Sequence, residues 1–244
     1  WIDDVALSVE PVGIVQAEQV SFPPADIAIE DEAEFFSLLD LDREGLEAVK
    51  TAVDAEDWEA AKPAWFEHLK TRQTPQWTWS RDDREEIMAL EEELYGGMER
   101  HVGSAERVMR REFNFLGVPK TLERDVQWLH GPVEWTHVLS RHAYWKTLGY
   151  AYWATGDEKY AEDFAYMLRD WVEDNPVPRY LTNARGKHGT VWRTLEAGIR
   201  GDAWFDVMSL LMDSEAFDAE VAYLMTRSLA EHARHLHRYE VDFR

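Results

Sequence analysis

The 244-residue chain contains no cysteine. That excludes disulfide scaffolds, thiol nucleophiles and cysteine-ligated zinc, and leaves the redox compartment open. Basic residues are few, 26 against 48 Asp and Glu, so the net charge is −22. A general nucleic-acid binder is excluded, because neutralising phosphates needs clustered positive charge. No apolar run approaches the ~18 residues needed to cross a bilayer, and the mean hydropathy is −0.49, so no membrane span is expected. The chain starts at Trp1, and no signal peptide is visible; a mature secreted protein or an excised fragment would each begin this way. G-x-S-x-G, phosphate-loop and G-x-G-x-x-G motifs are all missing, which leaves acyl transfer and nucleotide use without support.

What is present is helical periodicity. Residues 1–30, with Pro11, Pro23 and Pro24, read as an extended lead-in, and no alternating strand is expected beyond it. Helices are expected at Asp31–Leu39, Arg43–Val53 and Asp57–Lys70, with Pro63 marking the first turn of the third. Two more are expected at Arg84–Tyr95 and Ser104–Leu116. Trp135, Val138, Leu139, His142, Trp145, Leu148 and Tyr152 follow steps of three and four, as on one face of a single long helix. Thr155-Gly156-Asp157 stops it, with Thr155 and Glu158 at capping-box spacing for the next. That next stripe runs from Tyr160 to Val172 and ends at Asn175-Pro176. Two further helices, Trp192–Met212 and Glu215–His237, are joined at Asp213-Ser214. Short turns between amphipathic helices make antiparallel hairpins. The expected fold is all-α, an incomplete α/α toroid built from such hairpins over residues 31–244.

Charge is unevenly placed. From Asn175 to Leu195 there is no acid, while Arg179, Arg185, Lys187 and Arg193 fall there with His188 beside them. Aromatic faces beside Arg and His suit a sugar acid: stacking for the ring, fixed cations for its carboxylate. Trp128, Arg141, His142, Trp192, Arg193, Glu196 and Arg200 are the candidates for a substrate groove. Arg193, Glu196 and Arg200 share a helical face and read equally as an intrahelical ion-pair row, and each Trp reads equally as core. His232 and His235 share a face without completing a zinc spacing, so no metal is expected. Glu134 and Glu196 form one conceivable hydrolase pair among many acids.

From Trp128 onward the chain resembles the amino-terminal helical domain of the heparinase II/III-like polysaccharide lyases. The resemblance rests on Glu134-Trp135, Leu139-Ser140-Arg141-His142 and Thr155-Gly156-Asp157-Glu158-Lys159-Tyr160. It continues through Trp171 with Asn175-Pro176, Trp192 with Glu196 and Arg200, and Glu231-His232-Ala233 with Leu236. It implies an incomplete toroid, ordinarily followed by a β-sandwich domain, and β-elimination on an acidic polysaccharide such as heparan sulfate or alginate. A carboxylate-neutralising Asn, and a Tyr and His for proton transfer, would be expected beyond Arg244, so no catalytic residue is assigned. The expectation is a substrate-binding part of a longer lyase, inactive alone, with the missing C-terminal part as its partner. It needs no cofactor and acts in the periplasm or outside the cell. A non-catalytic acidic-glycan-binding domain and a helical-toroid glycoside hydrolase are the alternatives.

Overall fold

A computed structural model of the chain describes residues 27–178 and 191–240. Helix α1 (Glu32–Ser37) starts where the Asp31 carboxylate accepts the Glu34 N–H at 2.8 Å, while Glu34 reaches back to the Glu30 N–H. Helices α2 (Glu47–Asp54) and α3 (Trp58–Thr71) follow, the latter capped by Asp57 through the Ala60 N–H at 3.1 Å. Pro63 lies inside α3 instead of in its first turn, on an exposed face. There its missing N–H and its ring disturb only the solvent side.

Helix α4 (Arg84–Tyr95) ends on Gly96 with φ +77°, a left-handed cap that glycine adopts without penalty. A 3₁₀ turn, Met98–His101, leads into α5 (Val102–Met109). The expected helix to Leu116 stops here. Arg111 turns to φ +58°, and β1 (Glu112–Phe115) pairs antiparallel with β2 (Val118–Thr121), Phe113 opposite Lys120 and Phe115 opposite Val118. Leu116 and Gly117, at φ +55° and +76°, form the tight turn that matches strand twist. The cause of the break is the alternation of Phe113 and Phe115. Their stacked rings, 5.4 Å apart, cover Tyr144 and Trp135.

The long helix expected over Trp135–Tyr152 is two helices. Helix α6 (Val133–Ser140) ends, His142 takes φ +54°, and a 3₁₀ turn (Ala143–Trp145) feeds α7 (Lys146–Thr155). The apolar stripe is nonetheless buried from Trp135 to Tyr152, apart from half-buried Val138. Gly156 caps α7 in the left-handed region, and Asp157 caps α8 (Lys159–Asp174) through the Lys159 N–H. Thr155 and Glu158 form no reciprocal box. Glu158 instead hydrogen-bonds the Ser214 hydroxyl and the Ala216 N–H, fastening the start of α8 to the turn between α9 (Thr194–Leu211) and α10 (Ala219–Glu240).

The fold is all-α, an incomplete α/α toroid of helical hairpins with one small strand pair. Helix α2 packs on α3, α3 on α10, α10 on α9, and α9 on α7, which also meets α5 and α8. Trp135, Trp145, Trp171 and Trp204 are almost wholly enclosed at the centre of the larger core, and Phe35, Phe36, Val49 and Tyr223 form a second core. Each such side chain contributes about 1.5–3 kcal/mol by leaving water. Helices α7 and α9 approach closely at Gly149, where a Cβ would lie 2.7 Å from Leu210. First and last elements are stitched together: the Ile29 N–H bonds Glu231, Lys62 pairs with Glu220, the Trp65 indole donates to Thr226, and Arg234 pairs with Glu34.

Candidate functional site

Three of the seven residues singled out from sequence meet at the N-terminal end of α9. Glu196, in the first turn, has no exposed surface. Its carboxylate accepts a hydrogen bond from Arg141 at 3.0 Å and pairs doubly with Arg193. Both arginine side chains stay partly open to solvent, at 27% and 33%. Burial pushes the Glu196 carboxyl up, but the hydrogen bonds from Arg193 and Arg141 outweigh it and hold it below the ordinary carboxylate range. Two guanidiniums around one ionised carboxylate sum to +1, with the exposed Glu134 carboxylate also acting on Arg193. Each Arg keeps donors that can take a second oxyanion. The Arg193–Glu196 part of the expected intrahelical row exists; Arg200 does not extend it.

The other four are not on the surface. Arg200, one turn deeper on α9, is fully enclosed. Its Nε donates to His232 at 2.7 Å, and its Nη1 to the carbonyls of Ser140 and Val191 at 2.8 and 3.0 Å. The guanidinium lies 4.3 Å from the Trp171 ring centre and 5.0 Å from that of Trp192. A carbonyl at the end of α6, the Val191 carbonyl and aromatic faces thus take the place of a carboxylate partner. Burial still brings the Arg200 pKa down to about 9. The His232 Nδ1 is held 2.6 Å from the Ser228 carbonyl, which makes it the protonated nitrogen and leaves Nε2 to accept from Arg200.

His142 stacks on Trp145 with centroids 3.8 Å apart and accepts the Trp204 indole N–H at 3.1 Å. Burial, then the Arg200 charge, holds both His142 and His232 well below the usual imidazole range. Trp128 donates to Asp170 at 2.9 Å, and Trp192 to the Asn175 carbonyl at 3.0 Å. These four residues were expected to line a groove and are instead buried in the core. A residue rich in aromatic contacts gains more from burial than from a wet face.

Sequence reading missed Arg111. It is buried beside β1, pairs with Asp163 through two bonds of 2.7 and 3.1 Å, and donates to three backbone carbonyls. Its role is structural, and only its position at the end of an apolar helix hinted at it. Glu134, the other half of the conceivable hydrolase pair, is 68% exposed. Glu196, kept ionised by two arginines, lacks the raised pKa that a general acid needs. Arg179, Arg185, Lys187 and His188 of the basic stretch lie outside the described residues. Among the described residues no three His, Asp or Glu side chains converge as a metal site would require, and no helix is long and apolar enough to cross a membrane.

The family described as Heparinase II/III N-terminus matches residues 35–242. A heparin-sulfate lyase of Bacteroides stercoris is 27% identical over 225 residues, covering 86% of this chain and 33% of that protein. One from Pedobacter heparinus is 35% identical over 105 residues, 42% of this chain and 15% of that protein. The crystal structure of heparan sulfate lyase HepC from Pedobacter heparinus superposes with a TM-score of 0.64 at 25% identity. That match covers 83% of this chain and 31% of the other. The chain therefore spans a third or less of the length of these relatives.

Proposed function

The chain belongs to the heparinase II/III N-terminal family of polysaccharide lyases, and from that premise we propose that it is the substrate-binding helical domain of a lyase acting on an acidic, uronate-containing polysaccharide of heparan sulfate or alginate type. The observation that carries the reading is the Arg141–Glu196–Arg193 cluster. Its net charge of +1 and its free guanidinium edges suit one sugar carboxylate or sulfate. The names of the relatives point to the same class of glycan.

In β-elimination the C5–H and C4–O bonds break and a C4–C5 double bond forms. Neutralising the uronate carboxylate makes the C5 proton removable. Arg141 and Arg193 supply fixed positive charge for holding such a group, and Glu196 holds the two forks apart and in register. Proton removal from C5 and proton delivery to the C4 oxygen are assigned to no residue of this chain.

The test titrates the chain with heparan sulfate and alginate oligosaccharides at two salt concentrations, beside the Arg141→Ala/Arg193→Ala double variant. The variant should bind about tenfold or more weakly, and its affinity should depend less steeply on salt, as two cations are lost. Equal affinity and equal salt slope in a variant that melts normally would remove the cluster from the site. Ultraviolet absorbance at the new double bond, followed in a longer chain that continues this one, tests the reaction. No absorbance with any uronate polysaccharide would leave a glycan-binding domain as the better reading.

A further inference from the structure

A second group of basic side chains lies away from that cluster, where α3 ends and the chain leads to α4. Lys70, Arg72, Gln73, Gln76, Trp77 and Arg81 line a cavity of about 160 Å³, with Asp82 and Asp83 at its edge. The Arg72 guanidinium rests 4.1 Å from the Trp77 ring centre, and its Nε is buried without a hydrogen-bond partner. Lys70 Nζ sits over the Phe66 ring at 5.2 Å.

Among the described residues neither Lys70 nor Arg72 forms an ion pair, although two acids border the same cavity and acids outnumber bases nearly two to one along the chain. Arg81 is already engaged, pairing with Asp213 and donating to the Lys70 carbonyl. A half-buried guanidinium stacked on an indole, with no carboxylate although carboxylates are near, is oriented for an oxyanion.

We propose that this cavity is a second oxyanion site that takes a sulfate or carboxylate group of an acidic sugar on Arg72 and Lys70, with Gln73, Gln76 and the two aspartates meeting its hydroxyls. The proposal rests on the acidic-glycan reading above. With Arg81 matched by Asp213, the remaining two bases and two acids sum to zero. The two aspartates therefore favour an anion carried on a hydroxyl-bearing ring, and inorganic sulfate probes the Arg72 and Lys70 donors alone. Trp77 packs against Phe205, twelve residues along α9 from Arg193, a rise of about 18 Å. Two separate contacts on one protein favour long chains over short ones, because the second binding event becomes intramolecular.

The experiment follows the arginine Nε–H signals of ¹⁵N-labelled protein during titration with sodium sulfate, Arg72 being identified by its loss in Arg72→Lys. Heparan sulfate decasaccharide binding is measured in parallel for wild type, Arg72→Lys, Gln76→Ala and Arg193→Ala. A saturable shift at Arg72 is expected in wild type and in Arg193→Ala, with decasaccharide binding about fivefold weaker in Arg72→Lys. If Arg72→Lys melts lower than wild type, Gln76→Ala, on an exposed side chain, takes its place. A shift that does not saturate, or wild-type decasaccharide affinity in the normally melting variant, overturns the proposal. Full glycan binding by Arg193→Ala together with the Arg72 shift and the Arg72→Lys loss would sink the first site and leave this one standing.

Discussion

Glu196 shows how a single side chain sets the character of a surface. Inside, it is a buried carboxylate; outside, it halves the charge of two arginines. Glu196→Gln keeps the shape and removes the charge, so the cluster passes from +1 to +2. The expected result is tighter binding of an acidic oligosaccharide at low salt and a salt dependence steeper by about one released counterion, read by calorimetry at several ionic strengths. A flatter slope would mean that the arginines need the carboxylate to stay in place. At this scale the sequence was only half legible. The spacing of Arg193 and Glu196 announced their pairing, whereas nothing local separated Arg141, which reaches the surface, from His142, which is sealed beneath Trp145 and Trp204.

At the scale of elements, periodicity located burial better than it located backbone. Every core position expected from Trp135 to Tyr152 except Val138 is buried, yet the helix carrying them is broken at His142. A one-residue left-handed kink followed by a 3₁₀ turn restores the phase of the stripe, so the pattern of apolar residues passes through the break unchanged. The β-hairpin was invisible for a different reason: four-residue strands are too short for alternation to stand out against helical spacing. The α7–α9 contact makes a firm prediction. Gly149→Ala places a methyl 2.7 Å from Leu210 Cβ. Two backbones must part to admit it, at a cost of about 1–3 kcal/mol, measurable as a lower urea midpoint. Wild-type stability would show that the two helices separate freely.

Across the whole molecule, three of the buried histidines tie stability to acidity. Burial holds His142 and His232 well below the ordinary imidazole range and His235 at about 4. Unfolded, each takes a proton near pH ~6.5. As pH falls below that value the unfolded chain gains protons that the folded chain refuses. Each histidine then removes up to about 1.4 kcal/mol of stability per pH unit. The loss levels off for His235 once pH passes its folded value. Asp170 and Glu231, whose carboxyls burial raises, offset part of the loss at the acid end. The urea midpoint should be level from pH 8 to 7 and drop steeply from 6.5 to 5; a level midpoint over that lower range would mean the histidines are not held neutral.

The all-α class and the hairpin order were readable from sequence, because they follow from apolar stripes and turn residues. The closure of first helices on last was not, since the bond from Ile29 to Glu231 joins residues 202 positions apart. That bond has a consequence for how the protein is made. At about 5–20 residues per second, the ribosome releases α1 and α3 some ~10–40 seconds before the helix they rest against. Phe35, Phe36 and Trp65 spend that interval without their partners on α10, so helices made early wait for one made late before they reach their native surroundings.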